Sequence, residues 1–336
     1  MANVENLEKK LVKLIETDNP FAVALTGEWG IGKTYFWNNF RDKNRESFSG
    51  KKYAYVSLFG LDSLESLKLA IATEVQTDAA YDSPLSVDIS KHFKKLFGFV
   101  GGGNIGASGD MRFGINIGNK LVTNIIMSHL KDTLVCLDDI ERKSDSLPMS
   151  EILGLVNYLR NERKCQVLMI MHDEESEDKD YFDKYKEKVF DEVLILDDSL
   201  SIIKDKISDI ETFPIYEKFY QTIGVRNLRF YQRVQKTYHE IIKHSSSLSK
   251  LSKEEILRQV LIIKAVYDMP DLFGIDMKLF QTYFSDRHLD ERIEARRFGS
   301  EEEKARLNDK IDKAKRIIEK FHKKFRLESW AIVNPL

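Results

Sequence analysis

GEWGIGKT, residues 27–34, follows the apolar run FAVAL at 21–25 and precedes the aromatic-rich segment YFWNNF at 35–40. The octapeptide satisfies the pattern GxxxxGK[ST] in full. A continuous apolar run of this length reads as a buried strand, and the aromatics after it read as a packed helix, so the glycines stand in a strand-to-helix loop. In such a loop successive backbone N–H groups converge on an anion, and the positive end of the following helix adds to the attraction. Gly27, Glu28, Trp29, Gly30, Ile31 and Gly32 are the expected cradle for the phosphates of a nucleotide, with Tyr35 next to it. Lys33 is expected to reach the β and γ phosphates, and Thr34 to give its hydroxyl to Mg2+. The plainer alternative is a Gly-rich turn that binds nothing.

Outward from the loop, strand and helix patterns alternate. Val4, Leu7, Leu11, Leu14 and Ile15 recur at helical spacing until Asn19-Pro20 stops the helix. A second strand is expected over 53–59 and a helix over 61–75, with Leu64, Leu67, Ile71 and Val75 on one face. Further along, helix is expected over 121–130, strand over 133–137, helix over 152–159, and strands over 167–171 and 193–196. Alternation with fully apolar strands predicts an α/β fold, a parallel sheet sandwiched by helices whose sites open beyond the carboxyl ends of the strands. From about residue 200 the strand signals end. The expected organisation is therefore a core over 1–200 and an all-α region over 201–336, closing with an amphipathic basic helix over 301–325. Eight of the 17 glycines fall between Gly98 and Gly118, and the stretch 96–118 reads as a Gly-rich insertion in the core.

A phosphate loop hydrolyses nothing without a carboxylate to hold the metal and a group to orient water. Leu134-Val135-Cys136-Leu137 bury a strand, and Asp138 and Asp139 follow at its carboxyl end. Asp138 is assigned as the Mg2+ acid of a Walker B motif. Asp139 takes the place of the catalytic base, although glutamate is usual there. The alternative is that these acids cap the next helix.

These motifs resemble the KAP group of P-loop NTPases, within the ATPase division that includes the AAA+ and STAND proteins. The resemblance rests on GEWGIGKT, on YVSLFGLDSLESLK at 55–68 and on LDDIER at 137–142, and covers about residues 1–240. It implies an ATP-driven signalling or assembly protein, and the bacterial branch is similar to proteins implicated in excluding phage. Arg142 matches the arginine that ends a DDxxR-type signature, where the resemblance implies contact with nucleotide phosphates in its own or a neighbouring subunit. A surface salt bridge is the other reading. Many members insert membrane helices between the two motifs. Here that interval holds the Gly-rich stretch, so membrane attachment is not expected.

His172 ends the strand VLMIM, where related ATPases place a polar residue that senses the γ phosphate. It either orients the attacking water or is a solvent-facing strand-end residue. Arg226, Arg229 and Arg233, spaced three and four apart, are expected on one helix face. VRNLRFYQR is similar to the sensor 2 helix of AAA+ proteins, which implies Arg229 first and Arg226 second as phosphate contacts from a lid; a solvated basic face is the alternative. The acids between Asp173 and Asp180 read as a solvated loop. Asn119-Lys120-Leu121-Val122 lacks the aspartate of a guanine-reading NKxD motif, so ATP is expected over GTP.

Composition narrows the partners. Lys and Arg number 52 and Asp and Glu 54, for a net charge of −2, which argues against a nucleic acid bound by charge alone. Cys136 and Cys165 lie in apolar runs, and two such cysteines exclude a disulfide scaffold. No signal-peptide core and no run of 18 apolar residues is present, so a cytoplasmic protein is expected. The resulting expectation is an ATP- and Mg2+-dependent switch or assembly ATPase that self-associates and acts on a protein effector. The alternative is a nucleotide-gated interaction protein with negligible hydrolysis.

Overall fold

The computed structural model describes residues 2–17, 19–75, 127, 130–172, 177–207, 209–243, 248–270, 300–302, 304–306, 309, 312 and 316. The Gly-rich stretch 96–118, the expected helix over 121–130 except Met127 and Leu130, and most of 301–325 lie outside these residues. The chain divides into two compact units, Met1–Asp198 and Ser199–Leu336.

In the first unit five parallel strands form one sheet in the order β2-β3-β4-β1-β5. The strands are β1 (Phe21–Thr26), β2 (Lys52–Ser57), β3 (Thr133–Asp138), β4 (Gln166–Ile170) and β5 (Glu192–Ile195). The order puts β4 between the loop-bearing β1 and the acid-bearing β3. Register runs Leu25↔Ile170 between β1 and β4, Leu137↔Met169 between β3 and β4, and Ser57↔Asp138 between β2 and β3. β1, β3 and β4 are buried along their whole length, as expected for strands covered on both faces.

Alternate residues divide the core. Ala22, Ala24, Val135, Leu137, Val167 and Met169 pack with α3 (Leu64–Glu74), α4 (Met149–Asn161) and α5 (Glu177–Val189), through Leu67, Ile152, Val156 and Phe182. Helices α1 (Ala2–Glu16) and α2 (Lys33–Lys43) bury Leu7, Leu11, Ile15, Phe36, Trp37 and Phe40. The Trp37 indole N–H donates to the Tyr53 hydroxyl of β2 at 2.9 Å. Gln166 Nε2, at the start of β4, donates to the Asn19 carbonyl at 3.2 Å, which ties the end of the α1 segment to the sheet.

Helix α5 corrects the expected loop over its last three acids: Asp173, Glu174 and Glu175 lie outside the described residues, but Glu177, Asp178 and Asp180 belong to a helix that buries Phe182, and Asp178 pairs with the Lys143 ammonium at 2.9 Å. Acids at the start of a helix sit at the positive end of its dipole, which a purely compositional reading overlooks.

The second unit, among its described residues, is helical: α6 (Leu200–Lys206), α7 (Phe213–Ile223), α8 (Leu228–Lys243) and α9 (Lys250–Asp268). Phe219 of α7 stacks on Phe230 of α8, and the buried Tyr231 hydroxyl donates to the Val225 carbonyl at 2.8 Å. Among the described residues no helix is long and apolar enough to cross a membrane.

Candidate nucleotide site

The loop after β1 is held open by backbone conformations that side chains resist. Gly27, Gly30 and Gly32 all have positive φ, and a Cβ on Gly27 would meet the Leu196 carbonyl oxygen at 2.4 Å. Gly32 is left-handed and starts α2, its carbonyl accepting from Phe36 N–H at 2.7 Å. Ile31 is buried beneath the loop, while Glu28 and Trp29 are exposed and Tyr35 is half-buried on the first turn of α2.

Lys33 is 5% exposed, and its ammonium donates to the carbonyls of Gly27 at 2.7 Å and Glu28 at 3.0 Å. The cation is thereby fixed inside the curl of the loop, where an anion held by the loop N–H groups would meet it. Thr34 Oγ1 donates to Asp138 Oδ2 at 2.7 Å, joining residues 104 positions apart. A hydroxyl and a carboxylate side by side are hard oxygen donors of the kind Mg2+ takes together with substrate phosphates, so Thr34 and Asp138 fit the ion. When bound, the ion would neutralise charge that develops on the phosphates.

Asp138 is buried at 4% exposure, and burial raises its pKa, partly offset by the Thr34 hydroxyl, the Asp139 N–H at 2.8 Å and the Tyr55 hydroxyl at 2.8 Å. Burial and the neighbouring Asp138 push the Tyr55 hydroxyl upward, so it stays a donor. Asp139 adopts a left-handed backbone at φ 56°, and its Oδ2 accepts from the Ser57 hydroxyl at 2.7 Å. Arg142 approaches Asp139 Oδ1 at 3.8 Å and lies over the ring of the exposed Phe59 at 4.8 Å.

His172, directly beyond β4, is largely enclosed. Its Nε2 donates to Glu141 Oε1 at 2.9 Å, and its ring centroid is 6.4 Å from that of Trp29. Burial would raise the Glu141 pKa, but the His172 bond, its own backbone N–H and the nearby charge of Lys33 outweigh this and hold the carboxyl below its ordinary value. Lys33, Thr34, Asp138, Asp139, Arg142 and His172 therefore share the carboxyl-end rim of one sheet. Sequence reading overlooked Tyr55, Ser57 and Glu141. The polar alternation of Tyr53, Tyr55 and Ser57 in β2 and the third acid of DDIER were the available signals.

In the helical unit the expected three-arginine face is corrected. Helix α8 begins at Leu228, with Asn227 Oδ1 accepting from Phe230 N–H at 3.1 Å, so Arg226 precedes the helix and only Arg229 and Arg233 lie on it. The Arg226 carbonyl accepts from the Ser199 hydroxyl at 2.7 Å, and Arg233 pairs with Asp268 at 2.9 Å. The asparagine cap outweighs the arginine spacing in setting the helix start.

A comparison with curated proteins gave no match. Among solved structures the chain is similar to the ORC2 protein of Aeropyrum pernix, solved as ADPNP–ADP complexes, at TM-score 0.50 and 12% identity over 97% of this chain and 93% of that one. Cdc6p of Pyrobaculum aerophilum aligns at TM-score 0.43 and 13% identity, over 98% of this chain and 83% of that one. At such identities the likeness to ORC2 is one of fold: a parallel P-loop sheet flanked by helices. Residues 4–191 match the model of the KAP family P-loop domain. With that match spanning the sheet, the phosphate loop and the acid pair, the chain belongs to the KAP family of P-loop NTPases.

Proposed function

We propose that the protein binds ATP with Mg2+ and hydrolyses it, using the nucleotide state to switch an assembly or signalling interaction. The observation that carries this reading is the contact of Thr34 with Asp138 at 2.7 Å beside the enclosed Lys33 ammonium. Loop and cation lie in one stretch of chain and the metal acid in another, 104 positions on from Thr34, and their convergence supports more than an anion-binding turn. Asp139, by its place after the metal acid, and Glu141, by its bond to His172, are the candidate carboxylates to polarise water. Arg142, and Arg229 with Arg226 in the helical unit, are proposed to answer the γ phosphate on the strength of the resemblance. A place in phage exclusion, with a protein effector, is proposed on the same ground.

Phosphate release from ATP tests the reading. Wild type should turn over ATP in the presence of Mg2+, and Lys33→Ala should lose about 100-fold or more, because it removes the cation aimed at the transferred group. Equal release by both proteins would remove the enzyme reading. A second reading, nucleotide-gated binding without hydrolysis, is favoured by the engagement of Asp139 with Ser57. Single-turnover incubation separates the two, since a pure binder leaves bound ATP intact for hours.

A further inference from the structure

We propose that Glu141, oriented by His172, is the carboxylate that takes the proton of the attacking water, and that Asp139 serves as a positioning residue at the β2–β3 edge. The proposal rests on the ATPase reading and names its missing group. Topology separates the two acids. In the order β2-β3-β4-β1, the acid-bearing β3 has β2 on one side and β4 on the other, and the phosphate loop follows β1, beyond β4. Asp139 is turned to the β2 side: Ser57, the last residue of β2, donates to its Oδ2 at 2.7 Å, and Arg142, stacked over Phe59, stands 3.8 Å from its Oδ1. Both oxygens therefore face groups on the side of the sheet away from the loop.

Glu141 is turned the other way. Its Oε1 accepts from His172 Nε2 at 2.9 Å, and His172 follows a strand that pairs directly with β1, Met171 N–H donating to the Leu25 carbonyl at 3.1 Å. The His172 ring lies 6.4 Å from Trp29 inside the phosphate loop. Bonding to a carboxylate assigns the Nε2 proton to His172, and Nδ1 of the same ring is buried without a hydrogen-bond partner among the described residues. The imidazole thus acts as a strut that fixes Glu141 Oε1, while no other side chain among the described residues bonds Oε2. Glu141 stays ionised at neutral pH, as an acceptor must.

The step balances without a further reactant. The water oxygen forms a bond to the γ phosphorus, and the bond from that phosphorus to the β–γ bridging oxygen breaks, its electron pair leaving on ADP. The water proton passes to Glu141 Oε2 and then to solvent, giving ADP, inorganic phosphate and one proton.

The full chain tests this in four variants, with turnover, binding of a fluorescent ATP analogue and thermal melting measured for each. Glu141→Gln should lose about 100-fold or more in kcat, while analogue affinity stays within about threefold and the melt is preserved. Asp139→Asn should lose at least about tenfold less than Glu141→Gln. His172→Leu should lower kcat with little change in KM, and His172→Gln, which restores an N–H donor, should recover part of the loss. The proposal is overturned if Glu141→Gln turns over like wild type, if Asp139→Asn is the more damaged variant, or if Glu141→Gln loses binding in step with turnover. A wild type no faster than Lys33→Ala instead refutes the ATPase reading itself, and this proposal with it.

Discussion

At Asp138 the requirements of function and stability oppose each other. Burial raises its pKa, so the ionised form costs the fold something at neutral pH, and the donated bonds from Thr34, Tyr55 and the Asp139 N–H only partly offset that cost. Asp138→Asn removes the charge, and both hydroxyls can rotate to accept from the new amide. The variant should melt at or above the wild-type temperature, a gain of up to about 1 kcal/mol, while losing Mg2+-dependent ATP binding. A loss of about 2 kcal/mol or more would show that the carboxylate is structural. Glu141 has the opposite sign. Its folded pKa lies below its ordinary 4.5, so the stability it contributes is present above that value and is lost as pH falls through the folded pKa. Acid melts should therefore show less loss on the way down in Glu141→Gln than in wild type, and parallel curves would contradict the assignment. Lys33, Thr34 and Asp138 were legible as residues because local motifs carry them. Tyr55 and Ser57 were not, because the register Ser57↔Asp138 that delivers them to the acids is a non-local pairing.

At the scale of elements, the strands were the most legible part. Continuous apolar runs located β1, β3 and β4 to within a residue or so, since strands buried on both faces leave no room for polar positions. Helix limits were less legible, α3 running Leu64–Glu74 against an expected 61–75 and α4 Met149–Asn161 against 152–159, and two further departures have identifiable reasons. Helix α5 begins among acids that resemble a solvated loop, yet the chain buries Phe182 at 1% exposure, its ring tilted against that of Phe190 with centroids 5.6 Å apart. Phe182→Ala should destabilise the first unit by about 3 kcal/mol or more, measured by denaturant unfolding, whereas a peripheral loop residue would cost less than about 0.5 kcal/mol. Helix α8 starts two residues after Arg226, because the Asn227 side chain supplies the cap. Arginine spacing alone carries no information about where a helix begins.

At the scale of the whole molecule, the near-zero charge and the family assignment point the same way. The net charge of −2 argues against a partner bound by charge alone, and the cations at the proposed site are local: Lys33 in the loop, with Arg142 over Phe59 at the rim. The second unit is helical among its described residues, and under the proposed switch its response to nucleotide is the natural reporter. Solution mass measured with and without a slowly hydrolysed ATP analogue should rise on binding if the nucleotide drives self-association, and an unchanged mass would confine the switch to one chain. The central claim is that β1, β3 and β4 assemble an ATP–Mg2+ site around Lys33, and calorimetric titration of that analogue into wild type and Lys33→Ala tests it most directly. The account predicts saturable binding by wild type that needs Mg2+ and weakens about 100-fold or more in Lys33→Ala; equal binding by the two proteins, or none by wild type, would contradict it.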